Sequence, residues 1–155
     1  MRYNEHHWLF QHGVKPDDIV VFPLWEYGVS MPEDGIYTSE DYWNGHPEIC
    51  RAFARASLKG WQYARNHRDE ALDSVMERVR DAQLPMNRPH MQWMLDCILS
   101  SIFPEDSDGW EFGKLSENAY RHACMALKSR GKLSATPSYS SFVKNGGTDD
   151  VEPRP

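Results

Sequence analysis

A helical spacing of apolar residues runs through most of the chain, from Ser39 to Gly131. An apolar face that recurs every 3.6 residues is typical of an amphipathic helix with one buried side. The pattern therefore predicts a soluble stack of four to five amphipathic helices over residues 39–131. The face occurs first at Cys50, Phe53, Ala54, Ser57, Leu58, Trp61 and Ala64, then at Ala71, Leu72, Val75, Met76 and Val79, and then at Met91, Met94, Leu95, Ile98, Leu99 and Ile102.

Local signals place the ends of these helices. Asn87 stands before a helix with Pro89 in its first turn, and Ser116 stands before another, positions at which their side chains cap free backbone N–H groups. Gly131 follows the last apolar position and ends that helix. A short helix over residues 2–12 ends in the same way at Gly13.

One or two short strands are predicted before the helical region. Residues 19–22 read Ile-Val-Val-Phe, follow a turn-forming Lys-Pro-Asp-Asp and precede Pro23, which favours a strand at about 18–23. A second strand is predicted at about 35–38, after an irregular connection that begins at Pro23. The residues after Val143 lack any periodicity, so residues 144–155 are expected to form a flexible tail.

Composition narrows the function classes. The net charge of -6 argues against nucleic-acid binding, because proteins that bind nucleic acid usually carry an excess or a stripe of basic residues. No apolar run approaches the roughly 20 residues that cross a bilayer, so membrane insertion is not expected. The first residues have no apolar core or cleavage site of a signal peptide, which predicts a cytoplasmic location for the chain as written.

The most specific motif lies in the helix that begins at Pro47. Residues 47–64 read Pro-Glu-Ile-Cys-Arg-Ala-Phe-Ala-Arg-Ala-Ser-Leu-Lys-Gly-Trp-Gln-Tyr-Ala, and residues 66–73 read Asn-His-Arg-Asp-Glu-Ala-Leu-Asp. The pattern resembles a signature of the SsuA and thiamine-pyrimidine family of ABC-transporter substrate-binding proteins. His67 stands where that family usually has Pro. Three weaker segments follow the family's order: Tyr3-Asn4-Glu5, Asp18 to Tyr27, and Pro32 to Tyr37.

The resemblance implies the C-terminal portion of a two-lobed α/β fold of the type II periplasmic-binding-protein class, represented here by a mostly helical part. It implies that residues 1–38 form the end of the second lobe and a crossover connection, and that residues 39–143 form helices that pack on the first lobe. Complete relatives are bacterial, periplasmic proteins that capture a small nitrogenous or sulfonated molecule for an ABC permease. Pyrimidine precursors, taurine or other alkanesulfonates, and nitrate are the ligand classes implied.

Candidate ligand-binding residues lie mostly in the first part of the chain. Tyr3, Asn4 and Glu5 offer a ring, an amide and a carboxylate suited to a polar heteroaromatic molecule, although they also suit an ordinary helix start. The segments after the predicted strand add carboxylates and a ring on a non-helical connection, where ligand-binding groups are common. The alternative is that this connection is a hinge with ordinary solvated charges. The residues predicted there are Glu26, Tyr27, Glu33 and Asp34.

Gly60 and Trp61 form the structural signature of the motif helix. Glycine inside a helix costs about 1 kcal/mol relative to alanine, so a compensating role is expected. Close packing of backbone beneath the indole of Trp61 is one explanation, and direct ligand contact is the other.

No metal site, cofactor or catalytic group is predicted. His6, His7 and His12 lack the spacing of a zinc motif, and the other histidines, including His90, are expected at helix ends and surfaces. One branch of the family, a eukaryotic pyrimidine synthase, uses pyridoxal phosphate and iron, but its Cys-rich motif has no counterpart here. An alternative to ligand capture is a stand-alone helical module that binds a protein partner or forms a homodimer through an exposed apolar seam.

Overall fold

The computed structural model describes residues 3–27, 34–104 and 112–144, and these residues are mostly helical. This confirms the predicted helical part. Two short 3-10 helices, Pro16–Asp18 and Leu24–Tyr27, precede the longer helices. The α-helices are α1 (Glu5–Gln11), α2 (Glu40–Gly45), α3 (Pro47–Asn66), α4 (Arg68–Asp81), α5 (Arg88–Ile102), α6 (Glu117–Ser129) and α7 (Tyr139–Phe142).

Both predicted N-caps are confirmed. The Asn87 side-chain oxygen accepts a hydrogen bond from the backbone N–H of His90 at 2.9 Å, and the Ser116 hydroxyl accepts one from Ala119 at 3.1 Å. Each bond satisfies a donor that the first turn of a helix would otherwise leave without a partner. The caps fix where α5 and α6 begin.

The two predicted strands are absent from the described residues, so that prediction was wrong. Ile19 has extended backbone angles, but Val20, Val21 and Phe22 are 58 to 76% exposed and belong to no ladder. Residues 34–39 are also irregular. A strand is stabilised by pairing with a neighbouring strand, and the described part of the chain offers none. The β-branched run at residues 19–22 therefore stays extended and unpaired.

The chain separates into two compact units. Unit 1 comprises Met1–Phe22 and Gly60–Asp108, and its buried apolar residues are Leu72, Val79 and Leu99. Two ion pairs join α4 to α5 within this unit: Arg68 with Asp96, and Arg88 with Asp73. Unit 2 comprises Pro23–Lys59 and Gly109–Pro155. Its buried residues are Leu58, Phe112, Tyr120 and Cys124.

The apolar face of α3 is buried unevenly. Leu58 is buried, whereas Phe53 on the same predicted face is 61% exposed and nearby Ile49 is 49% exposed. Sequence periodicity identified the face correctly but not how much of it is covered. None of the described helices combines the length and the apolar character that a membrane span requires.

Candidate functional site

A polar cluster lies where α1 packs on the start of α5. Its centre is His90, whose side chain is completely buried. The His90 Nε2 atom lies 3.0 Å from the Asn4 side-chain oxygen, and its Nδ1 atom lies 2.9 Å from Nδ1 of His7. Residues from two distant parts of the chain thus form one hydrogen-bonded row, Asn4–His90–His7.

The hydrogen bonds determine which ring nitrogens carry protons. An amide oxygen only accepts, so His90 donates to Asn4 from Nε2. In neutral His90 the Nδ1 atom is then an acceptor, and it receives the Nδ1–H of His7. The row is complete with both imidazoles neutral.

The surroundings of His90 disfavour its charged form. Burial lowers the pKa of His90 below its ordinary value, and repulsion from the His7 ring when that ring is protonated lowers this pKa further. His90 also lies in the first turn of α5, whose N-terminus carries the positive end of the helix dipole. All three effects act in the same direction, towards a neutral imidazole.

Aromatic rings enclose this row. The His7 ring stacks on Trp93, with ring centroids 4.9 Å apart and planes 7° apart, and the Trp8 ring lies 4.8 Å from that of His90. The indole N–H of Trp93 is buried and has no hydrogen-bond partner among the described residues. Such a donor costs free energy until an acceptor reaches it, so it marks a place where a hydrogen-bond acceptor would be stabilised.

Helical spacing brings these groups together. Asn4, His7 and Trp8 are three and four residues apart at the start of α1, and so share a face. His90 and Trp93 are three apart on α5. The two faces are joined at their edge by a pair of hydrogen bonds between the side-chain amides of Gln11 and Asn87.

Of the predicted ligand-binding residues, only Asn4 is shown as part of this cluster. Tyr3 is half-buried beside it in the chain, and Glu5 is exposed in the first turn of α1. Glu26, Tyr27 and Asp34 belong to unit 2 and are exposed. Glu33 lies outside the described residues.

The surroundings of Gly60 leave the packing explanation, beneath the indole of Trp61, as a prediction. A Cβ atom built on Gly60 meets no described atom within 4 Å apart from its two chain neighbours and the helix's own backbone, so no other described element packs closely against this position. Gly60 is exposed and Trp61 is half-buried on α3. Direct ligand contact at Gly60 stays a prediction.

Sequence reasoning missed the main components of the cluster. His90 was expected at a helix end or surface, and it does begin α5, but it is fully buried. Trp93 carried no signal beyond its three-residue spacing from His90. In the described part of the chain, no three His, Cys, Asp or Glu side chains group as metal ligands would.

A family comparison adds a finding about the N-terminal half. The family model NMT1/THI5 like matches residues 4–71. This is a family of periplasmic substrate-binding proteins. The match covers less than half of the chain, and the NMT1/THI5-like segment runs from Asn4, through α1, α2 and α3, into the first turn of α4. No curated protein and no solved structure matches the chain.

Proposed function

We propose that the chain is solute-binding-protein-like, is related to ABC-importer components that capture a small nitrogenous or sulfonated molecule, and does not catalyse a reaction. The observation that carries the proposal is the NMT1/THI5-like match over residues 4–71. The motif at residues 47–64, which resembles the SsuA and thiamine-pyrimidine family, supports it. The complete relatives in this proposal have two α/β lobes and work in the periplasm, and closure of their lobes holds the ligand.

The α1–α5 cluster favours a nitrogenous ring among the ligand classes. Aromatic rings provide a stacking surface for a flat heterocycle, and the Trp93 N–H provides a donor for a ring nitrogen or a carbonyl oxygen. Asn4 brings an amide, which both donates and accepts. Tyr3 and Glu5 are the neighbouring contacts that we propose. We also propose ligand contacts from a different segment of the sequence, namely Glu26, Tyr27, Glu33 and Asp34.

A ligand panel tests the proposal. The chain is titrated with an aminopyrimidine, taurine and nitrate while its thermal unfolding is followed. A ligand at one hundred times its Kd stabilises the folded state by about 2.7 kcal/mol, which corresponds to a shift of roughly 5 to 11 °C for a chain of this size. A shift with the aminopyrimidine alone supports the favoured class.

A matched pair of variants locates the site. Trp93→Phe removes the unpartnered N–H and keeps an aromatic ring, so the ligand-free chain should be as stable as before while the ligand shift decreases. Trp43→Phe on α2 is the control and should leave the shift unchanged, since Trp43 contacts Arg51 in unit 2. A stable dimer that responds to none of the three compounds would contradict ligand capture and would favour the self-associating helical module.

A further inference from the structure

Helix α1 depends on α5 for its stability. It has seven residues, whereas isolated helices shorter than about 12 residues are marginal in water. The described contacts that hold it on α5 are the His7–His90 and Asn4–His90 bonds, the Gln11–Asn87 amide pair, and contacts of four α1 rings with His90 or Trp93. Release of α1 from α5 therefore amounts to unfolding of α1.

The contact at the centre of this interface depends on protons. One proton lies between the Nδ1 atoms of His7 and His90. A first added proton places a charge in a half-buried aromatic cluster, against the buried His90 ring and at the positive end of α5. A second added proton leaves an N–H group on each of the two facing Nδ1 atoms. No acceptor is then left between them, and the His7–His90 hydrogen bond breaks. Arg88, two residues before His90 in α5, forms an ion pair with Asp73 of α4 that neutralises both charges, and Glu5 lies two residues before His7 in α1.

We propose that the His7–His90 pair is an acid-sensitive latch that holds α1 on α5 at neutral pH and releases it on acidification. His6 and His12, also on or beside α1, make no described hydrogen bond to His90 and are not part of the latch: the His6 ring contacts Phe10 and Trp93, and Nδ1 of His12 lies 2.8 Å from the carbonyl oxygen of Trp8. The latch would release α1 while α4 and α5, with their own apolar core, stay folded.

The sign of the pH dependence follows from linkage. The pKa of His90 in the folded state is lowered from its ordinary value of 6.5. The released state therefore binds protons more readily than the latched state at pH values below about 6.5. Stability of the latch is constant above that pH and falls with decreasing pH, until the pH reaches the lowered pKa of the folded state.

The consequence for binding rests on the proposed function. Tyr3, Asn4 and Glu5 stand at the start of α1, so release of α1 would displace these proposed ligand contacts. Acidification would then weaken capture of the ligand. The latch itself does not require a ligand, and it is tested on the ligand-free chain, so its failure and the failure of the proposed function are distinguishable.

Hydrogen exchange of the full chain, followed by mass spectrometry between pH 5 and pH 8, measures the latch. Exchange rates of residues 5–12 are divided by those of an unstructured peptide of the same sequence, which removes the intrinsic pH dependence of exchange. We expect the protection of α1 to be constant at pH 7 to 8 and to decrease below pH 6.5, by up to about tenfold per pH unit for each proton bound. Protection of residues 91–101 in α5 should not follow this decrease.

Two variants assign the effect. His90→Gln keeps an amide that can donate to Asn4 and accept from His7 but cannot titrate, so its α1 protection should not depend on pH in this way. His122→Gln changes an exposed histidine on α6 and should behave like the parent chain. Constant protection of α1 in the parent chain would overturn the proposal, as would an equal decrease in His90→Gln.

If the His90→Gln chain fails to fold, a second measurement on the parent chain tests the proposal. NMR titration of the imidazole C–H signals in the parent chain should give one histidine with a pKa below 6.5, whose titration coincides with exchange broadening of α1 amides. Histidine signals that all titrate at ordinary values, with α1 amides unchanged to pH 5, would overturn the latch.

Discussion

The side-chain amides of Gln11 and Asn87 hydrogen-bond to each other twice, at 3.1 and 3.2 Å, although 76 residues separate them in the chain. Asn87 is also the N-cap of α5, where its oxygen accepts from the backbone N–H of His90. The Asn87 side chain therefore caps the N-terminus of α5 and also hydrogen-bonds α1 to α5.

Replacing Asn87 tests this double role. Asn87→Ala removes the cap and the amide pair, and we expect the free energy of unfolding to decrease by about 2 kcal/mol, from about 1 kcal/mol for the cap and about 1 kcal/mol for the lost bonds. Urea denaturation measures the change. Gln11→Ala loses only the amide pair and should cost about 1 kcal/mol or less. Equal losses in the two variants would contradict a separate capping contribution.

Gln83 is expected to lower the stability of the chain relative to glycine at the same position. Gln83 follows the end of α4 and has a φ of 52°. Its N–H donates to Arg80 O, and the N–H of Leu84 donates to Val79 O. The same pair of backbone hydrogen bonds occurs around Gly131 after α6. Side chains disfavour this left-handed conformation, which glycine adopts freely. Gln83→Gly should therefore raise the free energy of unfolding by about 0.5 to 1 kcal/mol. Gly131→Ala, the matched reverse change, should lower it by a similar amount, and a loss of stability in Gln83→Gly would refute the argument.

Gly60 should be replaceable by alanine with a gain in stability. The position is exposed in the middle of α3, and an added Cβ meets open space among the described atoms. Gly60→Ala should raise the thermal unfolding temperature, since alanine favours a helix over glycine by about 1 kcal/mol. Ala56→Gly, at an exposed position one turn earlier, should lower it by a similar amount. A destabilised Gly60→Ala chain would indicate that something packs against this position after all.

The Arg68–Asp96 pair should contribute a small, salt-dependent coupling. Its atoms are 2.6 Å apart, and the side chains are 56 and 44% exposed, so water screens the attraction. A double-mutant cycle with alanine should give a coupling of about 0.2 to 1 kcal/mol that decreases in 1 M salt. Arg78 and Asp81, 3.8 Å apart and more exposed, form the control pair, whose coupling should be near zero. A coupling that does not respond to salt would argue against an electrostatic origin.

Local chemistry made part of the fold predictable. Asn87 and Ser116 were identified as caps because a cap bonds to a backbone group only three residues away, and this distance is readable from the sequence. The apolar faces of α3, α4 and α5 were identified because helical spacing repeats within one element. The predicted strand at residues 18–23 failed because a strand depends on a partner elsewhere in the chain, which β-branched residues alone cannot provide.

The sequence by itself determined that most of the described residues between Ser39 and Gly131 are helical, where α5 and α6 begin, and that the segment around Gly60 and Trp61 resembles a solute-binding family. Only the tertiary structure decided that His90 is buried and bonded to His7, 83 residues away, and that the Trp93 N–H has no acceptor in the described part of the chain. The physical reason is that burial and hydrogen bonding across such separations depend on which helices pack together. Neither propensity nor periodicity carries that information.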